Sequence, residues 1–395
     1  MNNGELEVSV LTGGGDRPYA LGLATALSGA GARLDFIGSN DLDSPELHES
    51  PLIRFLNLRG DQDTKVSSRK KVLRVLAYYG RLIRYSFTAR PKIFHILWNN
   101  KFEMFDRTLL MLYYKLLGKK VVFTAHNVNA QVRDGCDSFL NRATLRFQYR
   151  RCDHIFLHTE KMKNELVSEY GVPASKATVI PFGLNSTVPD TVLTPEAARQ
   201  RLGLNARKKV LLFFGNIAPY KGVEYLIDAF IQVAGKMEEC RLIIAGRPKG
   251  SEEYWAGLLA KINASAVKDK FVLKIEYVPD AETEVYFKAA DVLVLPYTHV
   301  FQSGVLFLGY NFGLPAIAAD VGSLKEEIVE GRTGYVFASC DTKGLARAIE
   351  TYFSSDLYAQ LKERRQDIRD YARERYSWSK VARMTTAVYG QLNGK

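Results

Sequence analysis

Short runs of β-branched and aromatic residues alternate along the chain with longer stretches of helical periodicity. That rhythm predicts parallel strands joined and covered by helices. Glu7–Thr12 reads as the first strand, Gly13 to Pro18 as a loop, Tyr19–Gly29 as a helix and Arg33–Gly38 as the next strand. Further strands are predicted at Ile93–Trp98, Val121–Ala125, His154–His158 and Ala177–Pro181, with helices at Phe105–Leu117 and Leu140–Arg151 between them. The polar stretch Ser186–Thr194 carries Pro189, is followed by Pro195, and reads as an inter-domain linker. A second alternating series then begins, with strands at Lys209–Phe214, Arg241–Ala245, Phe271–Ile275, Val292–Pro296 and Ala316–Ala319. Its helices include Gly222–Gly235 and Tyr254–Ala266, and the tail Ser379–Leu392 is also helical in pattern. The expected fold is α/β. Two doubly wound domains, residues 1–185 and 186–378, face a central cleft at the carboxyl ends of their strands, and a helix in residues 379–395 packs back toward the first domain.

The 395 residues exceed one ordinary core and suit two domains of about 150–200 residues each. No continuous apolar run reaches the roughly 20 residues of a membrane span. Met1–Val8 is polar and acidic, so no secretory signal is expected. Cys136, Cys152, Cys240 and Cys340 lie far apart without a CxxC pair, which predicts reduced thiols in a cytoplasmic protein rather than a zinc site or a disulfide framework. The net charge of +11 is uneven: residues 1–185 hold 26 Lys/Arg against 18 Asp/Glu, and the remainder 28 against 25. A basic face attracts phosphate, whether on nucleic acid, lipid headgroups or a sugar-phosphate carrier.

Three loops after strands of the second series suit phosphate. Gly215-Asn216-Ile217-Ala218-Pro219-Tyr220-Lys221-Gly222 opens a helix. Its glycines let backbone approach a ligand, and Lys221 offers a mobile point charge. The plainer alternative is a strand–turn–helix joint with an exposed lysine. In Gln302-Ser303-Gly304-Val305, Ser303 is placed to cap the next helix, whose first-turn N–H groups suit a diphosphate, and Gln302 to bond a sugar hydroxyl. An ordinary capped core helix is the alternative. In Gly246-Arg247-Pro248-Lys249 the Arg247 fork matches phosphate, against the alternative of a solvated loop.

Together these segments resemble the retaining glycosyltransferases of family 4, with the two-domain Rossmann-like architecture called GT-B. The resemblance rests on Ala218-Pro219-Tyr220-Lys221-Gly222 and on the run Gly313-Leu314-Pro315-Ala316-Ile317-Ala318-Ala319-Asp320-Val321-Gly322 with Glu326-Glu327-Ile328 and Gly331-Arg332-Thr333-Gly334-Tyr335. It implies that Lys221 contacts the donor diphosphate. The cation often found near the start of this loop is Asn216 here, and Arg247 is placed to stand in for it. The family also carries a spaced pair of glutamates that hold the sugar and the ribose. They would fall at Val300 or Phe301 and at Leu308 or Gly309, and neither is present. The chain is similar to a Gln-Ser-Gly-Val branch in which Gln302 and backbone do the sugar work. Val278, in Tyr277-Val278-Pro279-Asp280, marks the loop expected near the base.

In the first domain, His126 ends the strand in Val122-Phe123-Thr124-Ala125-His126 and matches the family's histidine beside the transferred sugar. His95 reads as core, and His154 and His158 as strand residues without an assigned role. Gly13-Gly14-Gly15-Asp16-Arg17 matches the family's glycine-rich loop and suits an acceptor or phosphate at the first helix's N-terminus, with a structural ion pair of Arg17 as the alternative. Residues 65–92 contain Lys65, Arg69, Lys70, Lys71, Arg74, Arg81, Arg84, Arg90 and Lys92 and no acid. At about 100° per residue, Val72, Val75, Leu76, Tyr79, Leu82 and Ile83 share one arc, expected to pack on the sheet. Lys70, Arg74, Arg81 and Arg84 share the opposite arc, a solvated face or one that meets an anionic membrane, where each cation adds about 1 kcal/mol of attraction.

The resulting expectation is a hexosyltransferase-type enzyme without a metal or other cofactor. It takes a sugar from a nucleotide diphosphate sugar and gives it to a glycan or polyprenyl-diphosphate-linked acceptor of bacterial surface glycan synthesis, at the inner face of the membrane. Lys221, Arg247 and the helix N-terminus at Ser303–Gly304 stabilise the leaving diphosphate, and His126 orients the sugar. A nucleotide-sugar epimerase-like enzyme and a non-catalytic partner of the same architecture are the alternatives. No nucleic-acid motif accompanies the basic stretch.

Overall fold

The computed structural model describes residues 6–394 apart from Thr64, Lys65, Asp134, Ser186, Ala206, Arg207 and Lys249, and for Arg133 the backbone alone. Lys65 of the basic stretch, Ser186 of the expected linker and Lys249 of the third phosphate loop therefore lie outside the described residues. By contacts the chain divides into two compact units: Met1–Gly183 with Tyr376–Lys395, and Leu184–Arg375.

The first unit is built on a seven-stranded sheet of order β3-β2-β1-β4-β5-β6-β7. Its strands are β1 (Glu7–Leu11), β2 (Arg33–Gly38), β3 (Ile53–Asn57), β4 (Ile93–Ile96), β5 (Lys120–Thr124), β6 (His154–Leu157) and β7 (Ala177–Val179). All pairings are parallel. The second unit has six parallel strands in the order β10-β9-β8-β11-β12-β13. These are β8 (Lys209–Phe214), β9 (Cys240–Ala245), β10 (Phe271–Lys274), β11 (Val292–Leu295), β12 (Ala316–Ala319) and β13 (Gly334–Phe337). Central strands are sealed on both faces; Leu211, Leu212, Phe213, Leu293 and Val294 have no exposed surface. That is why they read as continuous apolar runs. The strand order reverses between β1 and β4 and between β8 and β11, where loops diverge and leave room for ligands.

Two strands escaped the sequence pattern, β3 and β13. Both are sheet edges, short and only partly buried, so neither carries an unbroken apolar run. The predicted helix Phe105–Leu117 is three segments: Glu103–Phe105, a π-helical turn at Asp106–Leu110, and Met111–Leu116. At the turn Asp106 is buried, and burial pushes its carboxyl up to about 6, while the Tyr79 hydroxyl (2.9 Å) and the Asn100 N–H donate to it.

The helix Ser68–Thr88 corrects the expected arc. Its buried face is Tyr78, Tyr79, Leu82 and Ser86. Val72, Leu76 and Ile83, expected on the sheet, are exposed, together with Leu73 and Phe87; Leu73 retains 65% and Phe87 72% of its surface. Lys70, Arg81 and Arg84 are exposed as expected, whereas Arg74 is half-buried and its Nη1 donates to the Asp63 carbonyl at 3.2 Å.

The C-terminal helix Trp378–Leu392 belongs to the first unit. Val381, Ala382, Val388 and Tyr389 share one core with Val8, Val10, Tyr19, Leu23 and Phe36. Tyr389 Oη bonds His95 Nδ1, and Thr124 Oγ1 lies 2.7 Å from the other ring nitrogen, so His95 is a satisfied core histidine. Among the described residues no helix is long and apolar enough to cross a membrane. All four cysteines are free, Cys152 and Cys240 buried, Cys136 and Cys340 exposed.

Candidate functional site

In the second unit the predicted phosphate residues converge on the loops after β8, β9 and β11. The loop after β8 passes through Gly222 in the left-handed region, φ 61°, and a Cβ there would lie 2.0 Å from the Pro296 carbonyl oxygen. Only glycine lets this loop press against the end of β11. Thr298 N–H donates to Tyr220 O at 2.9 Å and fastens the same two loops. The loop after β9 is fastened by Ile217 N–H to Arg247 O, also 2.9 Å. Val305 packs 3.7 Å from the Cβ position of Gly215. Gly215, Lys221, Arg247 and the start of the helix Gly304–Asn311 are thus brought together at the carboxyl ends of the central strands of one sheet.

Lys221 lies with its Nζ 3.8 Å from the centre of the Tyr297 ring and 5.2 Å from that of Tyr220. The guanidinium of Arg247 lies 5.4 Å from the centre of the Tyr277 ring, beside the buried Val278. Among the described residues neither cation has an acidic partner, and both rest on aromatic faces. Asn216 is exposed in the same loop.

Ser303 occupies the first position before the helix as expected, but its hydroxyl does not cap the helix. It donates to the Tyr297 hydroxyl at 3.3 Å. The first-turn N–H groups, at exposed Gly304 and half-buried Val305, are therefore not taken up by that side chain. Gln302 Oε1 is buried and has no hydrogen-bond partner among the described residues. Tyr297 is the residue that sequence reasoning missed here. It sits two positions past the last residue of β11, and that position was the available signal.

The first unit gathers its candidates at the reversal between β1 and β4. Gly13 is left-handed, φ 59°, and a Cβ on it would lie 2.1 Å from the Trp98 carbonyl oxygen; one on Gly15 would lie 1.9 Å from the Trp98 ring. The glycine loop is flattened against Trp98. Asp16 caps the helix Arg17–Gly29, its carboxylate accepting from Tyr19 N–H at 2.9 Å. Gly14, Gly15, Asp16 and Arg17 are exposed. Arg59, missed because it follows the unseen strand β3, lies over Gly14: a Cβ there would meet its Nη2 at 2.6 Å. Tyr78 and Asn100 hold Arg59 in place, the ring by a 5.1 Å cation–π contact and the amide by a 3.2 Å hydrogen bond.

His126, past the end of β5, is clamped among rings. Trp98 stacks on it at 4.2 Å with 6° between planes, and Tyr19 meets it edge-on at 4.6 Å. Its Nδ1 lies 3.2 Å from His158 Nε2, and its own Nε2 is buried without a partner among the described residues. Burial, then the neighbouring His158 and His95, holds His126 well below the ordinary histidine range, so the ring is neutral at physiological pH. Sequence reasoning gave His158 no role because its partners lie on other strands. Among the described residues no group of three or more His, Cys, Asp or Glu is arranged to hold a metal ion.

Outside these loops, the helix Ser68–Thr88 presents an apolar stripe of Val72, Leu73, Leu76, Ile83 and Phe87 bordered by Lys70, Arg81 and Arg84. Leu109 and Leu116 are also exposed, on a segment tied to the helix by Tyr113 Oη donating to Ile83 O at 3.1 Å.

Comparison with known proteins identifies both units. The family model described as glycosyl transferases group 1 matches residues 195–375, and that of glycosyltransferase family 4 matches residues 13–188. The chain is a glycosyltransferase of the GT-B type. A D-inositol 3-phosphate glycosyltransferase of Corynebacterium efficiens is 23% identical over 394 residues, covering 96% of this chain and 90% of the relative. Sucrose-phosphate synthase from Thermosynechococcus elongatus superposes with a TM-score of 0.78 at 19% identity, covering 99% of this chain and all of that one. Anabaena HepE in complex with UDP-glucose gives a TM-score of 0.74 at 15% identity over 98% of this glycosyltransferase. These likenesses show the fold: two Rossmann-like parallel-sheet domains.

Proposed function

We propose that this glycosyltransferase takes a sugar from a nucleoside diphosphate sugar and gives it to an acceptor hydroxyl with retention at the anomeric carbon. The carrying observation is the meeting of Lys221, Arg247 and the N-terminus of Gly304–Asn311 around Gly215, with no carboxylate partner for either cation among the described residues. A departing diphosphate gains negative charge in the transition state, and preformed donors aimed at that charge are electrostatic catalysts. Lys221 follows the moving charge and Arg247 grips two oxygens. In the second unit Gln302 brings a buried acceptor atom to a sugar hydroxyl and the loop at Val278 receives the base; in the first unit His126 offers a buried acceptor of its own. The Gly14–Arg17 loop, with Arg59 over it, receives an acceptor that bears phosphate. The reaction in this reading uses no metal.

The capture of UDP-glucose by HepE makes UDP sugars the first donors to test. The expected result is release of nucleoside diphosphate that requires both donor and acceptor, persists in EDTA, and yields a product with the donor's anomeric configuration. Donor turnover without acceptor would instead indicate the epimerase-like reading.

The acceptor is proposed to be a lipid-linked or polysaccharide glycan of a bacterial surface, reached from the cytoplasmic side. The support is the face of the helix Ser68–Thr88, where exposed apolar side chains and cations lie side by side. Such a helix lies in a bilayer interface with its apolar residues among acyl chains and its cations at anionic headgroups. Sedimentation with anionic vesicles tests this. Replacing Leu73, Leu76 and Phe87 by Ser, or Lys70, Arg81 and Arg84 by Gln, should each reduce binding. Binding unchanged by both sets contradicts the membrane reading.

A further inference from the structure

The ring cluster of the first unit fixes more than the position of His126. Past the end of β6, His158 Nδ1 lies 3.3 Å from the carbonyl oxygen of Ile180. A carbonyl only accepts, so this nitrogen carries the proton. Burial pushes His158 down to about 4 and holds His126 well below its ordinary value, so near neutral pH each ring holds a single N–H. With its proton on Nδ1, His158 presents a lone pair at Nε2. That lone pair faces His126 Nδ1 at 3.2 Å, which must therefore be the donor. Both protons are then placed and none is left for the other nitrogens: His126 Nε2, buried and unpartnered among the described residues, is a bare acceptor.

We propose that His158 is a positioning residue that locks His126 as its Nδ1–H tautomer, so that His126 Nε2 accepts a hydrogen bond from a ligand hydroxyl and disfavours a ligand oxygen without a proton. The surroundings keep the chain of bonds in register. Trp98 and Tyr19 fix the plane of the His126 ring, and Tyr19 at 5.5 Å and Phe182 at 5.1 Å fix that of His158. A neutral histidine held this way differs from a mobile one. It cannot turn an N–H toward a phosphate or carbonyl oxygen, so it selects for a hydroxyl over an oxygen that carries no proton, which would leave two lone pairs facing each other. The identity of that hydroxyl as one of the donor sugar's rests on the transfer reading above; the tautomer does not.

The experiment is nitrogen-15 NMR of the full chain labelled at its six histidines. Two-bond proton–nitrogen correlations distinguish a protonated ring nitrogen from a lone-pair one, with assignment from His126→Gln and His158→Phe. Both rings should carry the proton on Nδ1; a proton on Nε2 of His126 overturns the proposal. In His158→Phe, which keeps an aromatic ring but removes both nitrogens, His126 should pass to a mixture of tautomers. His158→Gln, whose Oε1 can accept the same proton, should restore the Nδ1–H signature. Calorimetry with UDP and UDP-glucose adds a functional arm: the extra affinity due to the sugar should fall about tenfold in His158→Phe, while UDP itself binds as in the wild type. A lowered melting temperature with the sugar's contribution intact would mean a merely structural role and overturns the positioning claim. Absence of UDP-glucose binding in the wild type would instead strike the choice of UDP-glucose as donor, and the tautomer spectrum would still decide this one.

Discussion

The two sheets reverse their strand order in the same way, yet their loops at the reversal differ in chemistry. Between β1 and β4 the first unit gathers rings: Trp98 on His126, Tyr19 edge-on, His158 and Phe182 behind. Burial keeps those histidines neutral. Between β8 and β11 the second unit gathers charge, with Lys221 and Arg247 lying on Tyr297 and Tyr277 and a helix N-terminus beside them. The shared topology supplies a place for a ligand, and the loop residues decide what kind. Neutral, hydrogen-bonding walls suit a sugar. Cations resting on aromatic faces, without an acidic partner among the described residues, suit a diphosphate.

The comparison breaks most readily at Lys221. Lys221→Ala should lower turnover by a factor on the order of 10²–10³, the usual cost of one donor lost from developing charge. Steady-state kinetics with a nucleotide sugar reads it, and a loss below tenfold would mean that the charged loops are not where the leaving group sits. Next comes Gly15→Ala. Its methyl would fall 1.9 Å from the Trp98 ring, so Trp98 or the loop must move, at a cost of about 1–3 kcal/mol in denaturant unfolding. Unchanged stability would show that the ring stack is loose.

Acid sharpens the contrast. His154 and His158 are pushed down to about 4 by burial, from an unfolded value near 6.5. Below that value the unfolded chain binds more protons than the folded one. These two rings therefore take stability away as pH falls from about 6.5 to about 4, against an opposite contribution from Asp106 and Glu165, which burial lifts to about 6 and about 7. Urea midpoints of the wild type and His158→Phe across this range isolate the ring's share, and a variant whose midpoint falls as steeply on acidification would contradict a neutral buried His158. The smallest effect is expected for Tyr297→Leu, which removes the ring under Lys221 and the partner of Ser303. A cation–π contact is worth about 0.5–2 kcal/mol. Nucleotide affinity should change by that amount, measured by calorimetry alongside Lys221→Ala.

Much of this was legible in the sequence because central parallel strands are continuous apolar runs and their carboxyl ends are where chemistry collects. What was hidden shares a cause. The edges β3 and β13 lack a buried second face, and Arg59 was lost with β3. Helical periodicity placed Tyr79 and Leu82 of Ser68–Thr88 on the sheet correctly but put Val72, Leu76 and Ile83 there with them. The buried face turns toward Tyr78 and Tyr79, whose rings bury more area, and Val72, Leu76 and Ile83 are left outside. Ser303 occupies a capping position, yet Tyr297, six residues earlier in the chain, takes its hydroxyl. His158 read as a mere strand residue because its meaning lies in bonds to Ile180 and His126, one strand away on either side.

The central claim is that a nucleoside diphosphate sits on Lys221. Thermal unfolding of the wild type and Lys221→Ala with UDP, GDP, ADP and dTDP, each with and without its common sugars, tests it most directly. A ligand at about 100 times its dissociation constant stabilises by roughly 2.7 kcal/mol. The account predicts a clear rise in melting temperature with one nucleotide, lost in Lys221→Ala. No rise with any of the four, or a rise that survives the substitution, would contradict it.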